Sequence, residues 1–344
     1  MKILEYVKKY DPQNQFEILI NSYKQIEFAW NNKFELGKIS KDNFNKVLVT
    51  GLGGSAISAD LMQNYLRTEM DFPYFVNRNY YLPPFADENT LVVISSYSGN
   101  TEETISVFNE ALKKKCSIVC VTTGGKAETI AIGNGIPVIK IQPGLQPRYA
   151  LGLSFFSLLR LLQELKLISD QNEVVNKIIN LWNSKGSEYS AEENSAFNLA
   201  KSLIGFIPTI YSAADVTSAA GYRLKCQFNE NSKLHAFHNV IPELNHNEII
   251  GWESFEEKQF NTKLITIFDE EYLPQIKKRF EITAELAAKN GVEIISLKSE
   301  QKEFKLRLLE LIYLGDWITY YLAVLRGFDP TEIENINILK KSLS

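Results

Sequence analysis

The stretch Thr90-Leu91-Val92-Val93-Ile94-Ser95-Ser96-Tyr97-Ser98-Gly99-Asn100-Thr101 runs an apolar, β-branched segment directly into a hydroxyl-rich turn around one glycine. A run such as TLVVIS, with no polar alternation, is the pattern of a strand covered on both faces, as at the centre of a parallel sheet. The residues that follow, Glu102 to Lys115, have helical spacing, so the turn lies between the carboxyl end of a strand and the start of a helix. Open α/β sheets bind their ligands at that place. From Ser95 to Thr104, six of ten residues carry a hydroxyl. Ser and Thr hydroxyls, with the amides of a helix start, can surround a phosphate monoester without a metal or a lysine. The same residues also permit a plain helix cap, with Ser98 or Thr101 at the N-cap and Glu102 or Glu103 in the first turn.

Outward from this turn the chain alternates. Upstream, an amphipathic lead-in over Phe16–Trp30 precedes the short strand Lys46–Thr50, the turn Gly51-Leu52-Gly53-Gly54-Ser55-Ala56, a helix to about Leu66 and a strand at Phe72–Asn77. Downstream come strands at Cys116–Thr123 and Ile136–Ile141, then a long apolar helix, Leu151–Leu167. The segment Asp170–Ser195 is more polar and contains Asn183-Ser184-Lys185-Gly186-Ser187, which reads as a junction. The alternation then resumes, with strands at Ile207–Ser212, Leu264–Phe268 and Val292–Leu297. Helices are expected over Ser218–Phe228 and Leu273–Asn290, and a final long one over Lys302–Arg326, stopped by Gly327 and Pro330. Alternating strands and helices predict an α/β fold of two three-layer αβα domains, each with a mainly parallel sheet, over residues 1–168 and 169–344.

Composition narrows the function. The 344 residues carry 37 basic and 41 acidic side chains, interspersed, so no basic footprint for nucleic acid is present. The start, Met1-Lys2-Ile3-Leu4-Glu5-Tyr6, lacks the apolar core of a signal peptide. The apolar stretch Tyr149–Leu165, read as the nearest approach to a membrane span, is broken by Arg160 and Glu164. The three cysteines, Cys116, Cys120 and Cys226, do not make a disulfide framework or a zinc-ligand set. The expectation is a cytoplasmic protein with no metal, no membrane contact and no nucleic acid partner.

The turn at Gly51 formally fits the dinucleotide pattern G-x-G-x-x-A. That pattern wants an acidic residue at the end of the second strand to hold a ribose. Here the strand ends Val76-Asn77-Arg78, which disfavours NAD and leaves only Arg78 as an opening for NADP.

Ser96-Tyr97-Ser98-Gly99-Asn100-Thr101 matches S-x-S-G-x-T, the signature of the SIS (sugar isomerase) fold, and Gly53-Gly54-Ser55 is similar to the glycine-serine turn found there. Further segments resemble the bifunctional phosphoglucose/phosphomannose isomerase family. They are Pro147-Arg148-Tyr149-Ala150-Leu151-Gly152, Gln227-Phe228-Asn229-Glu230-Asn231-Ser232-Lys233, Glu243 through Trp252, and Arg326-Gly327-Phe328-Asp329-Pro330. The resemblance implies an aldose–ketose isomerase of glucose 6-phosphate and/or mannose 6-phosphate with fructose 6-phosphate, without a cofactor. It implies phosphate binding by Gly54, Ser55, Ser96, Ser98 and Thr101, Glu230 as the base, His246 in ring opening and Arg148 facing an enediolate. It also implies a homodimer whose site takes its histidine from the neighbouring subunit.

The chemistry suits these types. A carboxylate carries a proton between adjacent carbons, an imidazole titrates near neutrality, and a cation meets charge that develops in the transition state. Glu243 and Glu248 compete with Glu230 as the base, while His235 and His238 read as structural. One departure stands out: related isomerases place a lysine on the last long helix, whereas Trp317–Leu325 has none, and Asp316 and Tyr320 there read as buried hydrogen-bonding groups. The alternatives are a non-catalytic sugar-phosphate sensor, which would not need Glu230, His246 and Arg148 together, and an NADP-dependent oxidoreductase built on the Gly51 turn.

Overall fold

The computed structural model describes residues 2–257 and 261–343. The chain forms two compact units, one over Ser22–Ile179 and one that joins Met1–Asn21 to Asn180–Ser344. Two short helices, α1 (Ile3–Tyr10) and α2 (Gln15–Ile20), open the chain and belong to the second of these units.

The Ser22–Ile179 unit begins with α3 (Ser22–Asn31) and continues β1 (Lys46–Thr50), α4 (Gly54–Tyr65), β2 (Tyr74–Asn77), β3 (Thr90–Ser96), α5 (Glu102–Lys113), β4 (Ser117–Thr122), α6 (Gly125–Gly133), β5 (Val138–Lys140) and α7 (Leu151–Glu164). Its five strands are all parallel, in the order β2-β1-β3-β4-β5. The apolar run read from the sequence is the middle strand, and all seven residues of β3 are buried. The register pairs Thr50 with Ile94 and Ser96 with Thr122, so the turns after β1, β3 and β4 leave the sheet at one edge. Leu48, Val92, Ile94, Ile118 and Cys120 pack with Val107 and Phe108 of α5 beneath that edge. Burial there pushes the Cys120 thiol up to about 12, so it stays a neutral, inert core group.

Helix α8 (Asn172–Tyr189) begins in the Ser22–Ile179 unit and ends in the other, which continues α9 (Ser195–Ser202), β6 (Ile207–Ala213), α10 (Ser218–Glu230), β7 (Phe237–Ile241), β8 (Thr262–Ile267), α11 (Pro274–Lys289), β9 (Glu293–Leu297), α12 (Phe304–Leu325) and α13 (Glu334–Leu343). The strands of this second unit are parallel in the order β7-β6-β8-β9. By topology β6 corresponds to β1, β7 to β2, β8 to β3 and β9 to β4. The two sheets are thus built on one plan, as the alternation of strands and helices predicts. Strand β7 and helix α13 have no counterpart in the sequence reading.

The polar segment read as a junction is helix α8 over most of its length. Gly186 lies inside it because an added Cβ would sit 2.8 Å from both the Ile20 carbonyl oxygen and the Tyr313 hydroxyl. There Trp182 stacks on Tyr313 at 4.7 Å, and the Tyr313 hydroxyl donates to the Leu19 carbonyl at 2.6 Å. Phe16 stands edge-on to Trp317 at 5.5 Å, and the Tyr320 hydroxyl donates to Asp11 at 2.8 Å. Helix α12, not Tyr149–Leu165, comes nearest in length and apolar content to a membrane span. It is the core helix of its unit, with 94% of its apolar window buried.

Candidate active site

The turn after β3 holds itself open by its own hydroxyls. Ser96, 2% exposed, accepts from the Gly99 amide at 3.1 Å, and its Oγ lies 3.1 Å from that of Thr101. Thr101 stands at the N-cap of α5, yet its hydroxyl makes no capping bond to the helix. The plain-cap reading therefore fails: Thr101 is turned to Ser96, and among the described residues no side chain caps the first amides of α5. Those amides, at the positive end of the helix, are suited to an anion. Ser98 is exposed, with its Oγ accepting from the Asn100 amide at 3.2 Å.

Neighbouring loops fix this turn. Gly99 has φ +67°, and an ideal Cβ there would lie 1.7 Å from the Gly124 carbonyl oxygen, so only glycine fits between the β3 and β4 turns. Asn100 Oδ1 accepts from the Lys126 amide at 3.0 Å, and Thr123 Oγ1 donates to the Tyr97 carbonyl at 2.7 Å. On the other side, Ser55 Oγ accepts from the Tyr97 amide at 3.2 Å. An added Cβ on Gly54 would meet the Pro147 carbonyl oxygen at 2.7 Å, so the glycine-serine turn lies directly against the 3-10 turn Pro147–Tyr149. Arg148, on that turn, is 5% exposed, with its guanidinium 5.4 Å from the Tyr149 ring centre. Gly54, Ser55, Ser96, Thr101 and Arg148 thus come from three loops that touch one another.

The sequence reading missed Tyr97, the variable position of the signature. Its hydroxyl donates to the Gln142 carbonyl at 2.9 Å and accepts from the Leu145 amide at 3.0 Å, anchoring the approach to Arg148. Arg78, the opening for NADP, is engaged by Asp60 of α4 in an ion pair. Burial raises the Asp60 pKa, and the Arg78 charge opposes the shift.

Glu230 and His246 belong to the other unit. Glu230 is the last residue of α10 and is partly exposed. His246 is exposed at the end of the 3-10 turn Glu243–His246, and both flanks of that turn are tied down. Asn245 donates to Thr283 at 2.8 Å. Glu248 accepts from Tyr211 at 2.7 Å and from Asn239 at 2.5 Å. A carboxylate that accepts from two side-chain donors is an anchor for its loop. Among the histidines, His238 is structural: its Nε2 lies 2.7 Å from Ser212 Oγ, and burial lowers its pKa to about 4.

The end of β8, which corresponds to the end of β3, has the opposite character. Asp269 and Glu271 follow it, and both bind the Arg307 guanidinium, Asp269 at 2.8 and 3.0 Å and Glu271 at 2.9 Å. Two carboxylates at that edge repel a phosphate. Asp316 and Tyr320 are buried hydrogen-bonding groups, with Asp316 accepting from Arg223 at 2.9 Å and Gln227 at 2.7 Å. The lysine of α12, Lys305, lies in its first turn, far along the helix from Trp317–Leu325.

Two parallel sheets on one plan, with an S-x-S-G-x-T turn at the centre of the first, define a SIS-type α/β protein. The SIS domain model matches residues 39–131, and the model described as the bacterial phospho-glucose isomerase C-terminal SIS domain matches residues 192–343. The bifunctional phosphoglucose/phosphomannose isomerase of Caldicellulosiruptor bescii is 38% identical over 341 residues, covering 96% of this chain and 98% of the relative. That of Aquifex aeolicus is 35% identical over 325 residues, covering 93% and 98%. The chain belongs to the bifunctional phosphoglucose/phosphomannose isomerase family. In fold it is also similar to a hypothetical protein of Thermus thermophilus, with a TM-score of 0.72 at 14% identity, covering 99% of this chain and 92% of that one.

Proposed function

We propose that this protein interconverts glucose 6-phosphate and mannose 6-phosphate with fructose 6-phosphate through an enediolate. The Ser96–Thr101 pairing carries the reading, because it gives the hydroxyls of the β3 turn to a ligand rather than to the helix cap. Ser96, Ser98 and Thr101, with Gly54 and Ser55, hold the phosphate. Arg148 faces the enediolate, and a cation aimed at charge that develops only in the transition state lowers the barrier selectively. His246 exchanges the ring-oxygen proton, and Glu230 takes the proton from one of C1 and C2 and returns it to the other. Accepting both C2 epimers requires protonation from either face of the enediol, hence rotation about C2–C3 in the bound intermediate. The working form is a homodimer in which the neighbouring subunit supplies His246, in keeping with its exposure on its own chain.

Purified protein incubated with fructose 6-phosphate in EDTA should yield both aldose phosphates, and Glu230→Gln should abolish turnover while fructose 6-phosphate still binds. Binding without turnover in the wild type would leave a sugar-phosphate sensor. Equal loss of binding and turnover in the variant would remove Glu230 as the base.

A further inference from the structure

The end of α10 is held by an unusual residue. Lys233, three positions past Glu230, has φ +50°, a left-handed conformation in which glycine or asparagine is favoured after a helix. A lysine there carries a steric cost, and its ammonium shows what that conformation achieves. Nζ donates to the carbonyl of Glu230 at 3.0 Å, to that of Asn231 at 3.2 Å and to that of Asp329. The ammonium, a donor with no acceptor capacity, thus bridges three backbone carbonyls. Glu230 closes α10 and Asn231 is its C-cap, where a cation complements the negative end of the helix, and the third carbonyl belongs to the turn after α12.

The tie is made twice. Arg326, in the segment that contains Asp329, donates to the Ser232 carbonyl, so each segment sends a cation to the backbone of the other. Ser232 Oγ donates to the Thr319 carbonyl at 2.7 Å, and Asn231 Nδ2 to Thr319 Oγ1 at 3.0 Å. The stretches Asn229–Lys233 and Arg326–Pro330 form one backbone lock, and its first carbonyl is that of Glu230 itself.

We propose that Lys233 is a positioning residue for Glu230, fixing the last turn of α10 against the Asp329 turn so that the carboxylate is held at one height and direction. The inference rests on the isomerase reading, in which Glu230 moves the proton. Such a transfer between adjacent carbons depends on placement: a displacement of roughly 1 Å can cost on the order of a hundredfold in rate. Lys233 itself touches backbone carbonyls and has no place in the phosphate turn.

Two variants test this, with wild type alongside. Lys233→Gly suits the left-handed backbone and so relieves strain while removing the ammonium, and Lys233→Met keeps the aliphatic bulk. In both, kcat should fall roughly ten- to hundredfold with KM for fructose 6-phosphate within about twofold, the signature of a misplaced catalytic group. Amide exchange over residues 229–234 should quicken while that of α5 stays unchanged. A merely structural role would lower the melting temperature of Lys233→Met and leave kcat per folded molecule unchanged. Active wild type with equally active Lys233→Gly would overturn the positioning role alone. Wild type without turnover would remove the isomerase reading and the positioning role with it.

Discussion

Gly99→Ala offers a test of the phosphate turn whose size can be worked from the backbone. Gly99 has φ +67°, and the new methyl would start 1.7 Å from the Gly124 oxygen, 2.7 Å from its carbon and 2.8 Å from Thr122 Oγ1. A left-handed L-residue costs about 1–2 kcal/mol. Overpacking adds about 1–3 kcal/mol, since the obstacle is backbone and must move by more than 1 Å. Relief by shifting Gly124 is opposed by its two bonds with Thr122, at 2.9 and 3.1 Å. The sum, about 2–5 kcal/mol, is below the stability of a typical domain, so the chain folds but the native turn becomes a minor state. Fructose 6-phosphate affinity by calorimetry should then fall by roughly thirtyfold to a few thousandfold, since each 1.4 kcal/mol is tenfold. Gly37→Ala is the control: φ is +57° but nothing lies within 4 Å of the added carbon, so it pays the conformational term without the clash and leaves affinity unchanged. Native affinity in Gly99→Ala, or equal loss in Gly37→Ala, would refute the assignment of this turn to the phosphate.

Two further outcomes concern stability. His238 is neutral in the fold, with a pKa lowered by burial to about 4 against 6.5 for the free side chain, so the unfolded chain binds more protons in between. Stability associated with this group is present above about pH 6.5 and is lost as pH falls towards 4. Urea midpoints of the wild type should drop across that window, and His238→Asn should flatten the slope; an unchanged slope would mean that His238 does not titrate as described. Gly186→Ala gains about 1 kcal/mol of helix propensity but must displace the Ile20 carbonyl and the Tyr313 hydroxyl at a cost of about 1–3 kcal/mol, so the melting temperature should fall or hold, and a rise would show that the contact yields freely.

What the sequence makes legible here is local and periodic. A short apolar run rich in β-branched residues and bounded by a glycine turn reads as a covered strand, and Thr90–Ser96 is one; the hydroxyls that follow it then fall at the sheet's carboxyl edge. What it hides is a partner distant in the chain. The polar surface of α8 reads as a junction because Gly186 looks like a breaker until Tyr313, more than a hundred residues away, is seen against it. β7 escapes because Phe237–Ile241 is an edge strand with its first residue exposed and no apolar alternation to announce it. Lys233 is visible as part of a matched segment, but its role is invisible, since its acceptors are backbone carbonyls that any residue would supply.

On the proposed reading only one of the two sheets grips an anion, and the ends of their equivalent strands differ accordingly. At the end of β3 the plan offers hydroxyls, an uncapped helix start and a glycine that admits a second loop. At the equivalent end of β8 it offers Asp269, 1% exposed, and Glu271, with the Arg307 guanidinium already between them. A buried carboxylate without its cation is strongly unfavourable, so Arg307 is bound to Asp269 and is not available to a phosphate. Removing the arginine would expose two negative charges to the ligand, and removing both acids would leave a buried cation. No single substitution turns this edge into a phosphate site. On the proposed reading, the unit that forgoes the anion contributes Glu230 and His246 instead, one at a helix end tied by Lys233 and the other on a turn whose neighbours Asn245 and Glu248 are tied within that unit.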